Sequence, residues 1–304
     1  MLGTLWTLWK DLKKYKFIYF IALPGLLYYA IYEYWPMYGA SIAFKQFIPI
    51  KGISGSPWVG FDHFIDFFNS YYFYRILTNT LLISFYSIVF GFPMPIILAL
   101  LLNELRNKYF KGTVQTITYL PHFISVVIIS GLLIEFTAKS GLFNDVIALF
   151  GGNRENLLLQ PGLFRTIFVG SGIWQELGWS SIIYLAALSG ISPELYEAAK
   201  IDGAGRWKQM LHVTLPGIKT TIVILLILRL GQVMNVGFEK IILLYNPATF
   251  ETADVISSFV YRKGLLETNY SYSAAVGLFN SVINLIILLG ANRFSRKMSG
   301  SGLF

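Results

Sequence analysis

Residues 192–216 read SPELYEAAKIDGAGRWKQMLHVTLP, a charged, glycine-broken stretch set between two long apolar runs. Its local chemistry predicts two short helices joined by a turn. Ser192 is suited to accept hydrogen bonds from the open N–H groups of a helix start. Pro193 fits the first helical position, and Glu194 complements the positive end of the helix dipole. The first helix then continues through Leu195, Ala198 and Ala199 until Asp202-Gly203 breaks it. Asp202 is expected to cap a second helix, AGRWKQMLHV, after which Leu215-Pro216 leads into the next apolar run. Ala198, Ala199, Gly203, Ala204 and Gly205 leave the backbone approachable. Leu195, Tyr196, Trp207, Met210 and Leu211 supply apolar anchors inside a rim of Glu197, Lys200, Arg206 and Lys208. Anchors within a charged rim suit a protein interface. A loop resting on lipid headgroups would use the same residues.

The surrounding chain is that of a helical membrane protein. Of 304 residues, 55% are hydrophobic and only 13% charged, where a soluble domain carries about a quarter charged residues. The apolar residues gather in runs near the ~20 needed to cross a bilayer. They do not alternate as barrel strands do. The fold class is all-α and polytopic, with six predicted spans at 17–35, within 76–103, at 112–136, 165–190 and 217–244, and within 268–292. An aromatic helix over 61–77 and a short helix over 141–152 are expected at the surface between spans. The lysines before 17, an apolar run and ASIA at 40–43 mimic a secretory signal, but the run is long and aromatic. An uncleaved first span fits better.

Charge sets the orientation. Of 24 Lys and Arg residues, 14 lie in 1–16, 103–111, 191–219 and 293–304. The positive-inside rule places these segments in the cytoplasm, both termini included. The chain 1–304 thus reads as one membrane domain with a cytoplasmic start (1–16), a cytoplasmic loop (191–216) and a cytoplasmic tail (293–304). Its net charge of +8 follows from this bias and gives no reason to invoke nucleic acid. The chain lacks Cys, which excludes disulfides and thiolate chemistry. His63, His122 and His212 have no metal-ligand spacing. Glu33, Glu135 and Glu176 fall in different spans, so no catalytic or metal constellation is expected.

The loop resembles the EAA motif of ABC importer permeases: E-A-A, three residues, G, nine residues, I, one residue, L-P. Here Glu197-Ala198-Ala199 is followed by Gly203, Val213 and Leu215-Pro216, with Val in place of Ile. The Asp202-Gly203-Ala204 triplet is similar to the carbohydrate-uptake, maltose-type branch. YGASIAFKQF (38–47), GSPWVGFDHF (55–64), NTLLIS (79–84) and IWQELGWSSIIYLAALSGI (173–191) resemble its permeases for oligosaccharides derived from polysaccharides. The resemblance covers most of the chain. It implies the type I ABC importer permease fold in a bacterial cytoplasmic membrane. It implies a heterodimer with a second, homologous permease, two ATP-binding subunits carrying ATP and Mg, and an extracytoplasmic solute-binding protein. It also implies that Leu195, Glu197, Ala198, Ala199, Asp202, Gly203, Ala204, Trp207, Met210, Leu215 and Pro216 dock to the ATPase, with Glu197 fixing the loop through hydrogen bonds or an ion pair. The chain has no G-K-[ST] phosphate loop, so hydrolysis belongs to a partner. An ABC permease for another solute, or an ion-driven carrier gated by the loop, remains the alternative.

Polar residues within the spans mark a candidate pathway, because intramembrane charges are costly. Arg229, Gln232, Asn235 and Glu239 fall on one side of a continuous fifth helix. The fourth span offers Gln175, Glu176 and Ser180, with Trp174, Trp179 and Tyr184 as faces for sugar rings. The sixth offers Asn280 and Asn284. The competing reading is polar helix packing, with Glu176 paired to Arg229.

Overall fold

The computed structural model describes residues 13–299, and side chains to 297. The parts of the expected cytoplasmic start and tail at 1–12 and 300–304 lie outside the described residues. Those described form helices, turns and a single isolated bridge, Lys45 to Trp58, with no strand. The described residues form two compact units, 13–68 plus 263–278 and 69–262 plus 279–299.

In the first unit α1 (Lys16–Phe44) extends well beyond the expected end at 35 and stays exposed along its apolar length. Such a surface has to be covered by lipid or protein. After the Lys45–Trp58 bridge, α2 (Asp62–Asn69) is shorter than the aromatic helix expected over 61–77. Phe44 stacks on Trp58 at 5.6 Å and meets Phe61 edge-on. The Phe47 N–H donates to Ser271 Oγ at 2.8 Å.

The second unit holds the other predicted spans. α3 (Phe73–Val89) and α4 (Pro93–Glu104) form the second. The third expected span, 112–136, is corrected. α5 (Lys108–Tyr119) ends at a short turn through Pro121, and α6 (Val126–Thr137) begins anew. Pro removes a helical N–H, and Ser125 accepts from the Ile128 N–H to start the next helix. α7 (Leu142–Leu149) follows, then α8 (Pro161–Ser189), 29 residues and about 43 Å long. α5 and α8 touch backbone to backbone at Gly178, where a Cβ would run into the Thr118 carbonyl.

The loop gives α9 (Pro193–Ile201) and α10 (Arg206–Gly217), and α10 bends by 60° at Ile218 into α11 (Lys219–Leu230). The fifth span, expected as one helix over 217–244, is broken. α11 stops at Leu230, residues 231–237 are non-helical, and α12 (Phe238–Leu244) resumes. α13 (Ile256–Tyr261) and α14 (Tyr270–Ser299) complete the chain, the first turns of α14 belonging to the first unit. Among the described residues four helical stretches are long and apolar enough to cross a membrane, five if the bent α10–α11 pair is one span. α8 has the length but is less apolar.

One core joins Ile83 of α3, Ile129 of α6, Phe164 and Phe168 of α8 and Ile241 of α12. A second joins Ala99 of α4, Tyr184 and Leu188 of α8 and the bend residue Ile218. A buried ionic clasp ties α3 to the segment before α13. Asp254 is fully buried and accepts from Arg262 at 2.6 Å, Ser258 at 2.8 Å and Arg75 at 3.5 Å. Burial opposes the Arg262 charge, but the hydrogen bond and charge of Asp254 outweigh it and raise the guanidinium pKa.

Candidate functional site

The second unit encloses a cavity of about 620 Å³, lined by α3, α4, α8, α11, the 231–237 turn and the start of α12. That volume lies within the ~300–1,000 Å³ usual for small-molecule sites. Of the expected pathway residues, Gln175, Glu176, Trp179, Ser180, Tyr184, Arg229, Gln232 and Asn235 line it. Trp174, Glu239, Asn280 and Asn284 do not. The helical stripe drawn through Arg229, Gln232, Asn235 and Glu239 is not formed, because the helix ends at Leu230. Three of the four still line the cavity, Arg229 from the last turn of α11 and Gln232 and Asn235 from the turn.

The break survives because its backbone is satisfied by neighbours. Ser84 of α3 donates to the Val233 carbonyl, and Asn284 of α14 accepts from the Met234 N–H at 3.1 Å. Asn280 donates to Asn235 Oδ1 at 3.3 Å. Non-helical backbone at membrane depth is tolerated where it lines a cavity or is buried in protein, and both conditions hold here. Asn280 and Asn284 thus contact the turn and do not line the cavity. Gly237 has φ 26°, and a Cβ there would sit 3.1 Å from Phe168 Cζ. Only a small residue in this conformation seats the turn on α8.

Glu176 does not pair with Arg229. Its carboxylate lies 3.2 Å from Nδ1 of His122, whose ring stacks on Trp179 at 4.5 Å and 3°. Sequence reasoning left His122 as an isolated histidine, since 54 positions separate it from Glu176 and only the α5–α6 turn brings it there. It also missed Lys240. This residue is 7% exposed, lines the cavity, lies 5.2 Å from the centroid of the Phe168 ring, and donates to the Phe168 carbonyl at 3.4 Å. A helical stripe that ran on to Glu239 passed it by.

The loop is a helix pair as expected, with one reassignment. Asp202 ends α9, and the residue before α10 is Gly205. Gly203 has φ 76°, its N–H donates to the Lys200 carbonyl, and the Ala204 N–H donates to the Ala199 carbonyl at 2.8 Å. This is the Schellman closure, which favours Gly at the left-handed position. Ser192 accepts from the Glu194 N–H as expected. Tyr196 and Thr214 hydroxyls meet at 3.0 Å, and Gln209 donates to the Ala204 carbonyl at 2.7 Å, locking α9 to α10. Leu195 and Trp207 are 53% and 75% exposed, Met210 is half-buried. Ala198 is open, Ala199 and Ala204 half-buried, and Leu215-Pro216 form the last turn of α10. The Glu197 carboxylate is exposed and, among the described residues, has no ion-pair or hydrogen-bond partner, so it does not fix the loop from within.

The chain is 46% identical over 290 residues to the polygalacturonan/rhamnogalacturonan transport system permease protein YteP of Bacillus subtilis (strain 168), covering 95% of this chain and 90% of that one. The crystal structure of a bacterial ABC transporter involved in import of the acidic polysaccharide alginate holds a chain 48% identical, with a TM-score of 0.90 over 96% of this chain and 99% of that chain. A bacterial alginate ABC transporter in complex with an alginate pentasaccharide-bound periplasmic protein matches at 47% identity and a TM-score of 0.91, covering 97% and 99%. Residues 91–300 match the family described as the binding-protein-dependent transport system inner membrane component. The chain belongs to that family: it is a multi-pass inner membrane component of a transport system, not an enzyme.

Proposed function

We propose that this chain is the transmembrane subunit of an ATP-driven, binding-protein-dependent importer that moves oligosaccharides across the cytoplasmic membrane by alternating access. The observation that carries this reading is near-complete coverage, at 46% identity, of a polygalacturonan/rhamnogalacturonan transport system permease and, at 48%, of a chain of an alginate-importing ABC transporter. The cavity fits the reading. It offers the Trp179 ring, the amides of Gln175, Gln232 and Asn235, and the Ser180 hydroxyl to sugar hydroxyls and faces.

In this reading 1–304 is one permease domain with six spans, and both termini and the 191–216 loop face the cytoplasm. The α9–α10 pair docks on a separate ATPase through Leu195, Trp207 and Met210, with Glu197 free to contact that partner. A second, homologous permease, two ATP-binding subunits holding ATP and Mg, and an extracytoplasmic binding protein complete the assembly. Closure of the ATPase pair moves α9–α10 as a unit. The bend at Ile218, packed on Tyr184, carries that motion to the cavity wall.

The test is uptake by proteoliposomes holding the chain with its native companions. Accumulation that requires ATP and survives an ionophore supports the reading. Uptake that persists without ATP and collapses with the ionophore assigns the chain to ion-coupled transport.

A further inference from the structure

The broken fifth span leaves two cations with little to hold. Three charged side chains line the cavity among the described residues: Glu176, Arg229 and Lys240. Glu176 lies 3.2 Å from His122 and also acts electrostatically on Lys240, without an ion pair to it. Arg229 has no ion pair or hydrogen bond from its side chain among the described residues. Lys240 carries three N–H donors, and its one acceptor is a peptide carbonyl at 3.4 Å, which also accepts from Ser171 Oγ at 3.0 Å. A buried ammonium ordinarily needs a paired charge. Among the described residues no carboxylate forms an ion pair with either cation, and Glu176, the one acid lining the cavity, acts on Lys240 only through space.

The placement of the two follows from the break. Arg229 lies in the last turn of α11, Lys240 in the first turn of α12, and residues 231–237 fold between them. Gly237 seats the turn on Phe168, and Gly172 leaves room beside the ammonium, since a Cβ there would lie 3.9 Å from Nζ. An unbroken helix would hold positions 229 and 240 about three turns apart along its axis. Both line the cavity, Arg229 from the end of α11 and Lys240 from the start of α12.

We infer that this broken element reads carboxylates: Arg229 and Lys240 grip acid groups of the transported saccharide, which is therefore a uronate-type, anionic oligosaccharide. The inference rests on the import function proposed above and names its substrate class. Arg229 presents a planar fork suited to bidentate contact, and Lys240 a point charge at the buried end. Glu176, beside His122 and Trp179, offsets part of this positive charge and still leaves the cavity lining with a cation in excess for an incoming carboxylate. Neutral sugars bring no charge to balance the two cations, of which Glu176 can offset one at most.

The experiment uses the reconstituted complex with its binding protein, and trigalacturonate and an alginate pentasaccharide as probes beside their carboxyl-reduced, neutral counterparts. Wild type is expected to favour an acidic probe over its neutral form by about tenfold or more in kcat/KM. Lys240→Met and Arg229→Met are each expected to erode that preference about tenfold, chiefly through KM for the acidic probe, while Lys240→Arg keeps most of it. Assembly by size exclusion accompanies each variant, and if Lys240→Met does not assemble, Arg229→Met at the more exposed position decides. Equal use of acidic and neutral probes by wild type, or an unchanged preference in assembled Met variants, overturns the inference and leaves the importer intact. Uptake of neither class by wild type strikes the proposed function itself.

Discussion

At the scale of single residues, partners decide more than types. Asp254 is a carboxylate with two guanidinium neighbours and a serine hydroxyl, fully buried. Asp254→Asn keeps the shape but leaves Arg75 and Arg262 without their counter-charge, and breaking such a group costs about 3 kcal/mol or more. The expected outcome is a clear drop in the thermal stability of the purified assembly, larger than for Arg75→Gln, because Arg75 reaches Asp254 only at 3.5 Å. Equal stability of Asp254→Asn and wild type would mean that the clasp is not a stabilising contact. Asp254, Ser258 and Arg262 follow helical spacing, but Arg75 lies 179 positions from Asp254 and no spacing rule joins it to them. The same holds for Glu176. The sequence offered Arg229, from a neighbouring span, as the partner of Glu176 in the competing packing reading, and the histidine in an earlier span was passed over. Trp179, Ser180 and Tyr184 were legible because they follow Glu176 on one uninterrupted helix, where period alone places them.

At the scale of elements, the loop was readable and the broken span was not. Ser192, Pro193 and Gly203 act through their own backbone, so local rules suffice. Asp202 was assigned to the wrong helix because an Asp before a Gly can end one helix or start the next. Gly203 has open space around it and a φ of 76°, so its requirement is conformational. Gly203→Asp should cost about 1 kcal/mol of local strain and change the surface offered to an ATPase. Membrane insertion should stay normal while ATP-coupled uptake falls, measured side by side in the same vesicles. Wild-type uptake by that variant would remove the coupling role from the loop. The break at 231–237 escaped the sequence because its apolar flanks continue a helical pattern and its hydrogen-bond partners sit at Ser84 and Asn284. Here the two asparagines of α14 separate. Asn284→Leu strands the Met234 N–H and should destabilise by about 1–3 kcal/mol. Asn280→Leu removes only a side-chain contact at 3.3 Å and should cost less. Thermal unfolding of the two variants compares them directly, and an inverse order would show that the turn does not depend on Asn284.

At the scale of the whole molecule, the remaining question is which side each loop faces. Fourteen of the 24 basic residues define one face in sequence, and this asymmetry acts during insertion, so it leaves no geometric trace in an isolated chain. The absence of Cys turns this into a clean measurement, since any thiol is one introduced on purpose. Lys200→Cys lies on α9 and Lys51→Cys in the segment between α1 and α2, both at exposed positions. In intact cells a membrane-impermeant maleimide should label position 51 and not 200. In inside-out vesicles the pattern should reverse. A thiol at 200 protected in vesicles by added ATPase subunits, and exposed when they are stripped, would further place α9 beneath them. Labelling of position 200 from outside would invert the topology. The loop would then sit on the wrong side of the membrane for any nucleotide-driven partner, whatever its helices resemble.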